Sequence, residues 1–387
     1  MALTASPSVT QRTGLCPCPC YTQLGNEKEF VVGPEDAAGC FNEVRAIIDG
    51  LWPEPSDRPR LVGPAMNPRP DWLTKFLLAM PAGTVDAVSY HMYAGYGRSL
   101  DLPSLMVQPG WLDFTHTVMR VNQRALAMAS AARPSPPPSM AGISARQNAP
   151  VAAPAGPELW IGETAAAWAS GTAGVCDGFV SGFWWLDQLS QAAATGHGAM
   201  CRQCLVGGNY SLLDQLDPRG LTPNPDYWSA WVWRQLVGVQ VLAITQVMPY
   251  MGDFQPGTRG YMACTRPGAP GYQRGAVTFV YINQDSKFPN RTITMYQQAR
   301  MQAAAGLGES PTPPPFANLP RLEFVLTPTS GDVLSREISL NGGLLHIGAD
   351  GSLPTLAGRT GIAEEFVVPA LSYGFAVYPD ADAAACQ

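Results

Sequence analysis

Five times between residues 20 and 238 a short strand-like segment is followed by a helix-like one, and beyond residue 239 the helices stop. The strand-like segments are Tyr21–Glu27, Arg60–Pro64, Val85–Tyr93, Glu158–Glu163 and Ala199–Val206. The helix-like ones are Ala37–Leu51, Trp72–Met80, Phe114–Ala131, Gly178–Ala194 and Tyr227–Val237. In the first helix Phe41, Val44, Ile47, Ile48 and Leu51 recur at helical spacing, with Gly50 near the end. Strand–helix alternation predicts parallel strands joined by helical crossovers. Downstream, Val239–Val247, Gly260–Thr265, Ala276–Asn283, Arg291–Tyr296, Leu322–Leu326, Ile338–Ile347 and Glu365–Tyr378 are separated by turn residues alone, which predicts an all-β unit, a sandwich. The expected organisation is therefore a low-complexity N-terminus (1–19), an α/β unit (20–238) interrupted by a Pro-, Ser- and Ala-rich insertion (132–156), and a β-sandwich (239–387).

Composition narrows the function classes. At 46% hydrophobic and 14% charged residues, the chain can bury a real core. Its net charge is −6, it has three Lys (Lys28, Lys75, Lys287) and it lacks any basic run, so nucleic acid is not an expected partner. No uninterrupted apolar stretch of about 18 residues predicts a transmembrane helix, although peripheral membrane association stays open. The first residues lack the charged and apolar regions of a signal peptide. Nine cysteines include a Cys-Pro-Cys-Pro-Cys run (Cys16, Cys18, Cys20) of unassigned role. Cys201-Arg-Gln-Cys204 has no second pair and reads as packing rather than a metal site.

In parallel barrels, chemistry sits at the C-terminal ends of strands. Asn26-Glu27 closes the first strand here, His91 and Tyr93 close the third with Arg98 beyond, and Glu163 closes the fourth. Two carboxylates on separate strands suit glycoside hydrolysis, in which one donates a proton to the leaving oxygen and the other attacks the anomeric carbon. An Asn beside the first could hydrogen-bond the sugar, and a Tyr could hold the second in its charged form. A Glu after a strand is more often a solvated loop residue, and a lone His more often a satisfied core residue, so pattern alone leaves both readings open.

Longer motifs weigh in. Leu159-Trp-Ile-Gly-Glu-Thr-Ala, Gly182-Phe-Trp-Trp-Leu-Asp-Gln-Leu189, Met200-Cys-Arg-Gln-Cys-Leu-Val-Gly-Gly-Asn-Tyr210 and Pro225-Asp-Tyr-Trp228 leading into Leu236-Val-Gly238 resemble the heparanase family, glycoside hydrolase family 79. The resemblance runs from about Tyr21 to Cys386, the insertion excepted. It implies a partial (β/α)8 TIM barrel, about strands 4–8, followed by a β-sandwich. It also implies a retaining β-glucuronidase-like activity on a glucuronic-acid-containing glycan or glucuronide, with no cofactor and no metal. Glu163 is then the nucleophile and Glu27 the acid/base. Asn26, His91, Tyr93, Arg98, Gln203, Gly208, Asn209 and Tyr210 bind substrate, and Cys264 and Cys386 form a disulfide closing a loop of about 120 residues. Retention would place the carboxyl groups about 5–5.5 Å apart.

The sequence also departs from the family. Three βα units would precede the acid/base strand, yet about twenty residues precede Glu27 here. The expectation is either a truncated chain or a short, catalytically inactive glycan-binding relative. Lys28-Glu29 replaces the family's Pro-Asn, and Asn67-Pro-Arg-Pro-Asp71 stands where a basic cluster would grip sulfated chains, favouring a less charged glucuronide. An extracellular, cell-wall, lysosomal or vacuolar setting is implied for the full-length relative. Of the sequons Asn209-Tyr-Ser and Asn290-Arg-Thr, Asn290 is the expected glycan site.

Overall fold

The computed structural model describes residues 21–132, 156–217, 220–244, 257–286, 290–293, 319–361 and 366–387. Cys16, Cys18, Cys20 and nearly all of the Pro-rich insertion lie outside these residues. Strands β1 (Tyr21–Gln23), β2 (Arg60–Met66), β3 (Ala87–Tyr96), β4 (Glu158–Trp168) and β5 (Ala199–Arg202) form one parallel sheet in sequential order. The crossovers carry α1 (Pro34–Leu51), α2 (Pro70–Leu78), α3 (Leu102–Met106), α4 (Pro109–Ala131) and α5 (Ser181–Ala194). Each of α1, α2, α3 and α4 begins on a Pro in its first turn, where the missing N–H costs nothing.

Period-2 alternation divides the sheet. Val88, Tyr90 and Met92 of β3, with Leu159 and Ile161 of β4, pack in one cluster with Phe41 and Ile48 of α1, Leu73 and Phe76 of α2 and Met119 of α4. Val62, Ala87 and Trp160 form a small cluster on the opposite, inner face of the curl. This curled half-barrel is the parallel unit that the alternation predicts. Strand β5 ends at Arg202, earlier than expected, and a hairpin of β6 (Leu213–Asp217) and β7 (Gly220–Pro223) follows that the sequence reading missed.

Helix α6 (Pro225–Leu236) runs directly into β8 (Val237–Leu242). Strands β9 (Thr258–Thr265), β10 (Val277–Asn283), β11 (Asn290–Ile293), β12 (Arg321–Pro328), β13 (Ile338–Leu340), β14 (Gly343–Leu344), β15 (Arg359–Gly361), β16 (Phe366–Pro369) and β17 (Ser372–Tyr378) complete the chain. Seven of them join β8 in one antiparallel sheet, with β14-β13-β12-β17-β10-β9-β8 in order and β15 beside β12. Strands β11 and β16 form a separate ribbon, and Phe366, Val368 and Ile293 of that ribbon pack with Val277, Phe279 and Tyr281 of the large sheet. Among the described residues the second layer is this ribbon, not a full second sheet.

Two expected strands divide. Ile338–Ile347 is a hairpin, because Asn341 (φ 51°) and Gly342 (φ 86°) adopt the paired left-handed conformation of a tight turn. Glu365–Tyr378 splits into β16 and β17 around Leu371 (φ 46°).

The half-barrel and the antiparallel sheet share one core. Tyr373 of β17 stacks on Phe179 at 4.3 Å, meets Phe183 edge-on at 5.3 Å, and donates its hydroxyl to the Phe179 carbonyl (3.2 Å). Gly182 makes this approach possible, since a Cβ there would lie 2.1 Å from the Tyr373 oxygen. Beside it, the fully buried Asp187 of α5 accepts from the Tyr261 hydroxyl of β9 (2.5 Å) and from Gln191, with Arg259 at 3.8 Å. Cys264 and Cys386 are disulfide-bonded, as the resemblance implies. Among the described residues no helix is long and apolar enough to cross a membrane.

Two outcomes are expected. Closing a loop with a sequence separation of 122, the disulfide should contribute about 2–4 kcal/mol. Denaturant unfolding with and without reductant should measure this, and alkylation under non-reducing conditions should leave both sulfurs unmodified. Burial raises the Asp187 carboxyl to about 7, so the folded state holds a proton that the unfolded state releases near pH 4. The stability supplied by this group is complete below about pH 4 and is lost as pH rises towards 7. Replacing Asp187 by Asn should flatten that part of the stability–pH curve; an unchanged slope would contradict the assignment.

Candidate active site

His91 and Tyr93 lie on the inner face of β3, in phase with Ser89 and opposite the helix-facing Val88, Tyr90 and Met92. Strict alternation along β4 would send Glu163 to the helix side with Leu159 and Ile161. It does not, because the register slips: Tyr90 pairs with Ile161, whereas His91 pairs with Glu163. Gly162 is the extra residue, and a Cβ there would sit 3.1 Å from the Cβ of Ser89. The bulge therefore puts Glu163 in phase with His91.

A second slip acts on Glu27. Between Pro64 and Met66 of β2 the extra residue is Ala65, with φ 56°. Its N–H donates to Ser89 Oγ (3.1 Å), and its carbonyl accepts the Glu27 N–H (2.7 Å). Glu27, itself at φ 52°, is held past the end of β1 rather than within it. Two sparsely populated backbone conformations thus meet beside one carboxylate, the kind of stored strain that concentrates at functional sites.

The side chains converge. His91 Nδ1 lies 2.9 Å from Glu27 Oε1 and 3.7 Å from Glu163 Oε2, and ligand atoms of the three residues all fall within 4.8 Å of one another. The Tyr93 hydroxyl donates to Glu163 Oε1. Burial, then the hydrogen bond to Glu163 and that carboxylate's charge, push the Tyr93 hydroxyl far above its ordinary range, so it remains a donor. His91 is buried, while the Glu163 and Glu27 side chains are 26% and 39% exposed, facing a cleft of about 620 Å³. The three groups are also close enough to ligate a cation.

Of the other sequence candidates, Tyr210 lines this cleft, and Asn26 and Arg98 are exposed and do not. Gln203, Gly208 and Asn209 are not among its lining residues. The Gln203 N–H donates to the Thr164 carbonyl (2.8 Å), and Asn209 braces the 169–171 turn through Ser170 (2.8 Å) and Gly171 (3.3 Å). Asn290 begins β11. The sequence reading missed Phe30, Asn67, Phe114, Trp168, Ala169 and Ser170, which all line the cleft. Ala169 (φ 59°) and Ser170 (φ 64°) are consecutive left-handed residues, and Trp168 stacks on Tyr96 at 4.3 Å. The Ser170-Gly171 pair directly after a long strand was the available signal.

Tyr210 is fixed by Arg202 at the end of β5. The buried guanidinium donates to the Tyr210 carbonyl (2.8 Å) and to Asp226 (2.7 Å), which also accepts from Ser181 (2.8 Å), and it lies over the rings of Trp184 and Trp185.

A curled parallel sheet carrying two facing carboxylates at its C-terminal edge has the layout of a barrel glycosidase. The comparisons agree. The GH51 arabinofuranosidase from Xanthomonas axonopodis pv. citri superposes with a TM-score of 0.62, covering 93% of this chain and 66% of that one at 13% identity, a likeness of fold. Residues 146–190 match the glycosyl hydrolase family 79 N-terminal domain. Heparanase-like protein 1 of Arabidopsis thaliana is 31% identical over 348 residues, covering 85% of this chain and 56% of the relative. Baicalin-beta-D-glucuronidase of Scutellaria baicalensis is 26% identical over 339 residues, covering 86% and 53%. Together these matches support a heparanase-like member of glycoside hydrolase family 79. The chain spans a little over half the length of these relatives.

Replacing Arg202 by Met should cost about 3–5 kcal/mol, because it leaves Asp226 buried without its counter-charge. Adding Asp226→Asn should recover part of the loss. Urea unfolding of the single and double variants checks both.

Proposed function

We propose that this chain carries the catalytic pair of a retaining glycosidase that releases β-linked glucuronic acid from a glycan or a small aglycone. The observation that carries the reading is the meeting of Glu27, His91 and Glu163 within 4.8 Å on the inner face of the sheet. One oxygen of each carboxylate falls within that limit, which suits direct attack by one of them; carboxyl groups of a retaining pair stand about 5–5.5 Å apart, whereas inverting enzymes hold theirs about 6.5–9.5 Å apart to admit a water molecule. In this reading Glu163 attacks the anomeric carbon. Glu27 gives its proton to the leaving oxygen and afterwards takes one from water. The Tyr93 hydroxyl holds Glu163 in place and stabilises its charge, and His91 orients Glu27 through Nδ1. Tyr210 and the left-handed Ala169-Ser170 turn bound the sugar pocket. The acidic sugar is favoured by the names of the relatives, heparanase-like and glucuronidase, and the net charge of −6 favours weakly charged over sulfated substrates. A disulfide between Cys264 and Cys386 and the sequon at Asn290 support an oxidising, secreted or vacuolar setting.

A second reading is a glycan-binding protein without turnover. It is favoured by the sheet among the described residues, which has five strands and leaves the Glu27 side chain 39% exposed at its edge.

An aryl β-glucuronide separates the two. Glu163→Ala should lower turnover by about three orders of magnitude or more, as loss of a nucleophile does elsewhere. Tyr93→Phe should lower it about 10- to 100-fold, matching the loss of one charged hydrogen bond of about 1.5–3 kcal/mol. Binding of glucuronide by folded protein with no turnover would establish the second reading and sink the first.

A further inference from the structure

Apart from the cleft, a cavity of about 330 Å³ opens where α6 meets the turn after β9. It shares no lining residue with the active site. Arg234 and Arg266, both exposed, flank it, and Trp231, Gln235 and the 267–269 turn complete the wall. The turn is seated firmly: the Arg266 N–H donates to the Leu236 carbonyl at the end of α6 (2.9 Å), and the Ala269 N–H to the Arg266 carbonyl (3.1 Å). Among the described residues neither guanidinium has an ion-pair or hydrogen-bond partner, and Nε2 of Gln235 is buried without one. Arg234 lies in the last turn of α6, where the helix C-terminus favours a cation.

The donor inventory defines the ligand. Two guanidinium forks supply donors, and among the described residues the lining contains no carboxylate, which suits an anion. Trp231 is partly buried and meets Trp228 edge-on, leaving an indole in the wall beside the arginines. An aromatic ring next to paired arginines suits a flat, partly apolar anion better than a compact one. We infer that this cavity is a second, non-catalytic binding site for an acidic sugar residue, which holds a glucuronate carboxylate between Arg234 and Arg266 with the sugar ring against Trp231. The ligand class rests on the glucuronide reading of the cleft; the site itself does not.

The test is calorimetric titration of the full chain, in a Glu163→Gln background to prevent turnover. The probe is an unsulfated tetrasaccharide alternating glucuronic acid and N-acetylglucosamine. Two binding events are expected, and Arg234→Ala/Arg266→Ala should abolish one of them while leaving the melting temperature and the other event unchanged. Arg234→Lys/Arg266→Lys, which keeps charge but not the fork, should weaken the same event about tenfold. A single event in the parent that disappears in the double-alanine variant would uphold this site while removing the cleft reading. A binding profile identical in the parent and the double-alanine variant, with one event or none, would overturn the inference and leave aryl-glucuronide turnover untouched. Inorganic phosphate that displaces the tetrasaccharide equally well with and without Trp231→Ala would mark a general anion site and also overturn it.

Discussion

The side-chain phase of the parallel sheet is the constraint on which the site depends. A strand presents alternate residues to opposite faces, and β3 and β4 use one face to bury apolar side chains against α1, α2 and α4. Continued without interruption, that alternation would place Glu163 among the helices. One extra residue at Gly162 and another at Ala65 reverse the phase at the C-terminal end of the sheet. They turn Glu163 inwards and offer a carbonyl to the backbone of Glu27. Ser89 links the two irregularities, since its Oγ receives the Ala65 N–H and its Cβ faces the space that Gly162 leaves empty.

The antiparallel sheet is the other half of this arrangement. It packs Tyr373, Phe375 and Val377 into the same core as Phe179, Phe183 and Trp184, so the loops bounding the cleft are braced from below. Arg336, between β12 and β13, reaches across to Asp177, Asp214 and Asn224 (2.7 Å to the last). Arg202 and Asp226 continue that polar layer to the carbonyl of Tyr210. The cleft walls therefore inherit their positions from the junction of the two sheets, not only from the strands that end there.

Much of this organisation was legible in the sequence. Alternating strand and helix patterns from Arg60 to Leu236 announced the parallel unit, and the run Val-Ser-Tyr-His-Met-Tyr placed His91 and Tyr93 on one face. The backbone irregularities were not legible. Gly162 and Ala65 do not announce themselves as inserted residues, because a bulge depends on pairing with a neighbouring strand rather than on local propensity. The same limitation hid the division of Glu365–Tyr378, since β16 and β17 join different sheets. Glu27 was placed at a strand end by the pattern and given its acid/base role by family likeness, and its pairing with His91 exists only once β1 and β3 are brought together. Of the residues that resemblance attached to the sugar, Asn209 braces the turn at Ala169 and Ser170, which a reading by strand ends passed over, and Gln203 is tied to the Thr164 carbonyl.

The central claim is that Glu27 and Glu163 act on one sugar from a single inward face, close enough for a double displacement. The stereochemical course tests it most directly. Proton NMR during hydrolysis of an aryl β-glucuronide should show β-glucuronic acid as the first-formed anomer, with the α form appearing later by mutarotation. α-Glucuronic acid as the first product would mean that water attacks directly, and would contradict the account.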